Sequence, residues 1–298
     1  MVKVMLKQTL LFSSPVRLSL KNRQLVISPR DEDRIITRPI EDIGFVVIEN
    51  QMVSVSIPLL NELVSNNVSV IICDAKGMPS SMLMGLDHNA TQAESLRYQL
   101  DVSEPSRKQA WKQLVEQKIR NQASVLDKLG RGPHNLKIYY SAVLSGDSTN
   151  REGIAARQYW LHLFGNSFRR EREGFPPNNL LNYGYAILRA ATARALIGSG
   201  LLPALGLFHR NRYNAFPLAD DIMEPYRPYV DEIVFEAAEE GLLNLDKEVK
   251  AKLLNLLVTD VKIGQVIRPL SIALTTTSAS LLKYYKGEAK KLTLPMFT

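Results

Sequence analysis

Ser106–Gly130, SRKQAWKQLVEQKIRNQASVLDKLG, is the stretch on which the fold reading turns. Apolar residues at Trp111, Val115, Ile119, Leu126 and Leu129 return at helical intervals, and Gly130 supplies a stop. On this reading the opposite face carries Arg107, Lys108, Lys112, Lys118 and Arg120. Upstream the periodicity is two. VRLSL (16–20) and QLVIS (24–28) alternate apolar and polar residues around a turn at Lys21-Asn22-Arg23, and DRIITRP and IGFVVIE continue the pattern. VSVIICD (68–74) is nearly all apolar, as a strand covered on both faces would be. IPLLNELVSNN (57–67) reads as a single helix among these strands, and Lys76-Gly77-Met78-Pro79 as a turn.

Downstream of Gly130 the pattern stays helical. NLKIYYSAVLSG, TNREGIAARQYWLHLFG and NNLLNYGYAILRAATARALIGSG give three helices, and 229–241, 246–258 and 264–285 give more. The fold class is α+β: a small, sandwich-like β-rich domain over 1–88, a linker and helix start over 89–102, and a larger all-α domain over 103–298. The chain is expected to end in a flexible basic tail with Lys286, Lys290 and Lys291. No chemistry is visible in the first domain, and small β domains with open edges suit dimerisation.

Composition narrows the function classes. A chain of 298 residues with 45% apolar and 22% charged residues has ample core. No apolar run of about 18 residues is present, and the lysines of MVKVMLKQTLLFSS argue against a signal peptide, so a cytoplasmic protein without membrane contact is expected. One cysteine, Cys73 in an apolar run, excludes a zinc finger and an internal disulfide and reads as a buried thiol. Phosphate-binding glycine loops and serine or cysteine triad motifs are also missing. The net charge of +7 is unevenly spread: residues 1–90 hold 9 Lys and Arg against 9 Asp and Glu, whereas residues 105–172 hold 13 against 5. Such a field suits a polyanionic substrate, although a solvated helix surface also explains it.

The chemistry-bearing stretch is LGLFHRNRYNAFPLADDIMEPYRP (205–228), with His209, Asp220, Asp221 and Glu224. One nitrogen donor beside several hard oxygens suits Mg²⁺ or Mn²⁺ better than structural zinc. Plainer roles are available for each. Thr149-Asn150-Arg151-Glu152 has the form of a capping box, Asp221-Ile222-Met223-Glu224 that of a helix start, and His209 suits a satisfied structural histidine. His88, His134 and His162 lack carboxylates at useful spacing.

The glycine–apolar–His run, LADDIMEPYRP, and Lys118-x-x-Asn121-Gln122 together resemble the CRISPR adaptation integrase family, CRISPR-associated protein one, most closely its type II branch. The resemblance spans nearly the whole chain and is most specific over 149–160, 178–189 and 200–231. It implies metal ligands at Glu152, His209 and Glu224, with Asp221 also catalytic and favoured over Asp220. Some branches carry aspartate where this chain has Glu224. It implies nucleic-acid contacts from Asn182 and Tyr185, which line the site. Lys118, Arg120, Arg157, Arg169 and Arg170 are the basic residues assigned to the same role, with Arg172 beside them. The implied reaction is attack of a 3′-hydroxyl on a phosphodiester, inserting a short DNA fragment (a prespacer) into a CRISPR repeat. The implied partners are double-stranded DNA, a second copy of the chain and CRISPR-associated protein two, with type II systems adding the effector nuclease and an accessory ring protein. A stand-alone magnesium-dependent nuclease on branched DNA and a non-catalytic DNA scaffold are the rival readings.

Overall fold

In a computed structural model, residues 7–30, 32–83, 85, 89–172, 174–209 and 211–297 are described; His88 and Arg210 of the sequence reading lie outside them. The chain divides into two units, Met1–His88 and Asn89–Thr298.

The first unit contains β1 (Gln8–Phe12), β2 (Val16–Lys21), β3 (Gln24–Pro29), β4 (Ile36–Pro39), β5 (Ile43–Ile48), β6 (Ser54–Val55), β7 (Ser69–Cys73), β8 (Pro79–Leu83) and the helix α1 (Ile57–Ser65). They form two four-stranded sheets, β4-β3-β2-β6 and β1-β5-β7-β8. The β2–β3 register pairs Lys21 with Gln24, which leaves a two-residue loop. Its residues, Asn22 and Arg23, have φ of 50° and 58°, the left-handed backbone that a tight hairpin demands at both positions. Leu18 and Leu25 from one sheet, Ile43, Val46 and Val70 from the other, and Leu59 and Leu63 from α1 share one core. The apolar run of β7 is not covered on both faces throughout, because Ile72 is 42% exposed. Cys73 is buried, as its setting suggests.

The second unit is built from α2 (Gln92–Asp101), α3 (Glu104–Lys128), α4 (Leu136–Ser141), α5 (Arg151–Phe164), α6 (Asn178–Gly198), α7 (Pro217–Met223), α8 (Arg227–Glu239), α9 (Lys247–Asn255) and α10 (Leu270–Tyr285). The long α3 buries Trp111, Leu114, Val115, Ile119, Val125 and Leu126. Among the described residues no helix is long and apolar enough to cross a membrane.

Two details depart from a purely helical reading. Residues 260–269 form a hairpin, β9 (Asp260–Ile263) and β10 (Val266–Pro269), turning near Gly264 at φ 61°. Its alternating DVKIGQVIRP is a strand signal that the neighbouring helical runs obscure. The tail is also tied down rather than flexible. Pro295–Met296 form β11 on β9, and Phe297 packs against Tyr229 with ring centroids 4.7 Å apart and the planes tilted by 46°. Asn121 of α3 donates to Pro295 O at 3.1 Å and accepts from Phe297 N at 3.1 Å. The same amide donates to Pro225 O at 2.7 Å, so one side chain holds both the tail and the turn that bears Glu224.

Candidate metal centre

Glu152 is not spent on a capping box. The cap of α5 is Asn150, whose Oδ1 accepts from Gly153 N at 3.2 Å. Asp147 takes the N–H groups of Arg151 and Glu152 at 2.8 and 3.0 Å. With those donors satisfied from outside the helix, the Glu152 side chain is released toward α3, where Oε1 lies 2.5 Å from Lys118 Nζ.

Asp221 likewise starts no helix, since α7 is already under way at that point. Its Oδ2 accepts from Leu207 N at 2.6 Å and Phe208 N at 3.0 Å, while Oδ1 accepts from His209 N at 3.3 Å and meets His209 Nδ1 at 2.5 Å. Fully buried, it moulds the 205–209 loop and orients the imidazole through Nδ1, which leaves Nε2 as the nitrogen available to a ligand. Gly206 is required for this close approach: a Cβ there would lie 2.5 Å from His209 O. Phe208 stacks on Trp111 with centroids 4.5 Å apart, and His209 meets the same indole edge-on at 5.6 Å. The hydrogen bond to Asp221 raises the His209 pKa against the opposing effect of burial, and Glu224 and Glu152 add to the rise through space. Asp220 has a separate, structural task, pairing with Arg189 at 2.6 and 2.9 Å and with Asn214 at 2.7 Å.

Glu224 opens the single turn Glu224–Tyr226 between α7 and α8. Its Oε1 accepts from Arg227 Nε at 3.0 Å and its Oε2 lies 2.5 Å from Lys118 Nζ. Burial alone would raise its pKa, but Arg227 and Lys118 outweigh burial and bring it down to about 2. Lys118 is 8% exposed, not on the open face that the helical stripe assigned to it. The spacing Trp111, Val115, Lys118, Gln122 places it on the covered face. There the paired glutamates hold its pKa above the ordinary lysine value even though burial pulls the other way.

The remaining predicted contacts fall into two groups. Arg120, Arg157 and Arg169 are exposed, Arg120 lying 4.2 Å from the Tyr140 ring centre. Arg170 instead is tied to α6, donating to Asn178 Oδ1 at 2.9 Å and Asn182 Oδ1 at 2.7 Å and facing the Tyr185 ring at 5.3 Å. Asn182 also donates to Arg172 O at 2.7 Å. A cavity of about 300 Å³ is lined by Lys118, Arg170, Arg172, Tyr185, Glu224 and Arg227, among others. His209 opens instead onto a second cavity of about 360 Å³ with Arg107, Asn211 and Arg212 in its wall. Of the other histidines, His134 does have a carboxylate, Asp127 Oδ1 at 3.0 Å, brought to it by the turn after α3.

Two residues escape motif reading. Asp231 of α8 is 1% exposed and accepts from Tyr159 at 3.0 Å and from Tyr185; burial pushes its carboxyl up to about 7. Arg227 bonds Glu224 and lies 4.5 Å from the Tyr185 ring centre. A carboxylate inside the apolar run of α8 is the signal that marks Asp231.

Among the described residues no three of His, Cys, Asp and Glu stand close enough to enclose an ion as placed. The donor set nonetheless fits a hard divalent cation. Both glutamate oxygens lie 2.5 Å from one Nζ, so they are at most twice that distance apart. Glu224 Oε2 is buried and makes no well-formed hydrogen bond even to that ammonium, and the imidazole is oriented by a buried carboxylate.

A family model described as CRISPR associated protein Cas1 matches residues 10–267. A CRISPR-associated endonuclease Cas1 of Neisseria meningitidis serogroup C is 41% identical over 241 residues, which are 80% of this chain and 78% of that relative. The fold is also similar to a casposase bound to integration product, with TM-score 0.81 at 20% identity over 96% of this chain and 92% of the other. A Cas6-RT-Cas1–Cas2 complex chain gives TM-score 0.73 at 19% identity over 98% of this chain and 36% of the other.

Proposed function

The chain belongs to the CRISPR-associated Cas1 family, which makes it an endonuclease and integrase of CRISPR adaptation, and on that premise we propose that Glu152, His209 and Glu224 hold a divalent ion, Mg²⁺ or Mn²⁺, at which DNA ends are joined. The observation that carries this assignment is the convergence of two glutamates, from α5 and from the turn before α8, on one cationic point, with the imidazole in their electrostatic reach. A bound divalent ion would polarise the phosphodiester and lower the pKa of a hydroxyl.

The protein's own residues do the rest. Asp221 fixes the imidazole and its loop. Asn121 and Arg227 fix the Glu224 turn. Arg172, in the wall of the cavity beside Glu224, offers charge to a phosphate there, and exposed Arg120, Arg157 and Arg169 meet the DNA backbone without reading sequence. Tyr185 and Asn182 shape the cavity, and Arg170, tied to α6, lines it.

The proposed substrates are a short double-stranded prespacer and a CRISPR repeat. The names of the casposase–product and Cas1–Cas2 structures support DNA and the small companion Cas2 as partners. A homodimer through the β unit, and the type II effector nuclease with its ring protein, complete the proposed assembly.

The test supplies the chain and its companion with a short duplex, a supercoiled repeat-bearing plasmid and Mg²⁺ or Mn²⁺. Covalent joining that disappears in His209→Ala and Glu224→Ala is expected. Cutting without joining would favour a branched-DNA nuclease, and DNA binding without chemistry a scaffold.

A further inference from the structure

Two positive groups, Arg227 and Lys118, compete for the two glutamates. Arg227 approaches Glu224 through Oε1, at 3.0 Å. Lys118 lies on the other oxygen, Oε2, and at the same time on Glu152 Oε1, both at 2.5 Å. Oε1 of Glu224 is therefore committed to a guanidinium, while Oε2 is buried without a well-formed hydrogen bond. Glu224 Oε2 and Glu152 Oε1, which share the one ammonium, are the oxygens a hard cation needs.

Glu224 is buried and Glu152 partly so, and with no cation between them the desolvated Glu224 charge would face another of the same sign, which is disfavoured. Lys118 removes that cost in the metal-free protein. It cannot keep both contacts once a divalent ion takes the same oxygens, since an ammonium and a dication in one water-poor site repel. Arg227 faces no such conflict, because its oxygen is not shared.

Resting on the metal assignment above, we propose that the Lys118 ammonium is the resident counter-ion of the Glu152–Glu224 pair, and that a divalent ion must displace it to be held there. The lysine thus keeps the two ligands together before the metal arrives and sets a threshold for metal uptake. Its side chain also lines the 300 Å³ cavity with Arg170, Arg172 and Arg227, so a displaced ammonium enters a space suited to a phosphate oxygen.

The test measures Mn²⁺ binding by calorimetry at neutral pH, together with melting temperature with and without Mn²⁺, in wild type, Lys118→Met, Lys118→Arg and Glu224→Gln. Lys118→Met should bind Mn²⁺ at least tenfold more tightly, melt lower without metal and gain more from metal than wild type does. Lys118→Arg retains the charge, and its fork grips carboxylates more firmly, so its affinity should fall several-fold; this variant serves if Lys118→Met does not fold. Mn²⁺ affinity unchanged by both lysine variants, yet lost in Glu224→Gln, would overturn the displacement and leave the metal site standing. No binding to wild type, or binding unaffected by Glu224→Gln, would overturn the site and the displacement together.

Discussion

In the first unit the core side chains, Leu18, Leu25, Ile43 and Leu63 among them, are apolar; in the second, Lys118, Asp221, Glu224 and Asp231 are buried beside the apolar residues. The β unit takes its stability from area removed from water, and no charge is needed at its centre. The helical unit carries ionised groups whose desolvation has to be offset group by group: Lys118 by two glutamates, Glu224 by Arg227, Asp221 by three backbone donors and an imidazole. Apolar residues of similar size would often stabilise such a centre as well or better. Among the described residues, the buried charged side chains all belong to the second unit, which is where the proposed metal site lies.

That contrast can be broken most severely at His209. His209→Ala should lower joining by about 10³-fold or more, the scale on which loss of a catalytic group acts, while leaving most of the fold's stability intact because the ring is partly exposed. Leu18→Ala should show the opposite split. It should cost the β unit about 2–5 kcal/mol in denaturant unfolding, with Mn²⁺ affinity of the folded chain unchanged.

A third test asks whether buried charge makes stability pH-dependent. Asp231 titrates near 7 when folded, chiefly through burial, against an ordinary value of 3.8. Between those values the folded chain holds a proton that the unfolded chain has lost. Stability therefore falls as pH rises from about 4 to about 7, by a few kcal/mol in all. Asp231→Asn should flatten that decline in urea midpoints measured across the range, and an unchanged slope would remove Asp231 as its source. The smallest effect belongs to the surface: Arg157→Ala should weaken DNA binding a few-fold and reduce the salt slope by about one, with no dependence on DNA sequence.

Periodicity made the two units legible. The alternation in VRLSL and QLVIS, and the turn residues Asn22 and Arg23, led directly to the β2–β3 hairpin, because local backbone preference and burial agree there. The helical stripe of α3 is equally plain, but assigning every basic residue to the opposite face misplaces Lys118, which lies seven residues after Trp111 and three after Val115 and is buried. A buried ammonium looks like a surface one until its partners, 34 and 106 positions away in sequence, are brought beside it. The ordered tail and Asp231 were hidden for the same reason, since Asn121, Tyr159 and Tyr185 reach them only in the folded chain. For Glu152 and Glu224, spacing alone favoured helix caps; family resemblance singled them out. Local geometry then explained why Glu152 is free to act: Asn150 and Asp147 had already satisfied the start of α5.

The central claim is most directly tested by anomalous diffraction at the manganese edge from crystals soaked in Mn²⁺. A single strong peak should lie between the Glu152 and Glu224 carboxylates and His209 Nε2, with Lys118 Nζ moved off both glutamates. A peak bound elsewhere, or one from which His209 or either glutamate is excluded, would contradict the account.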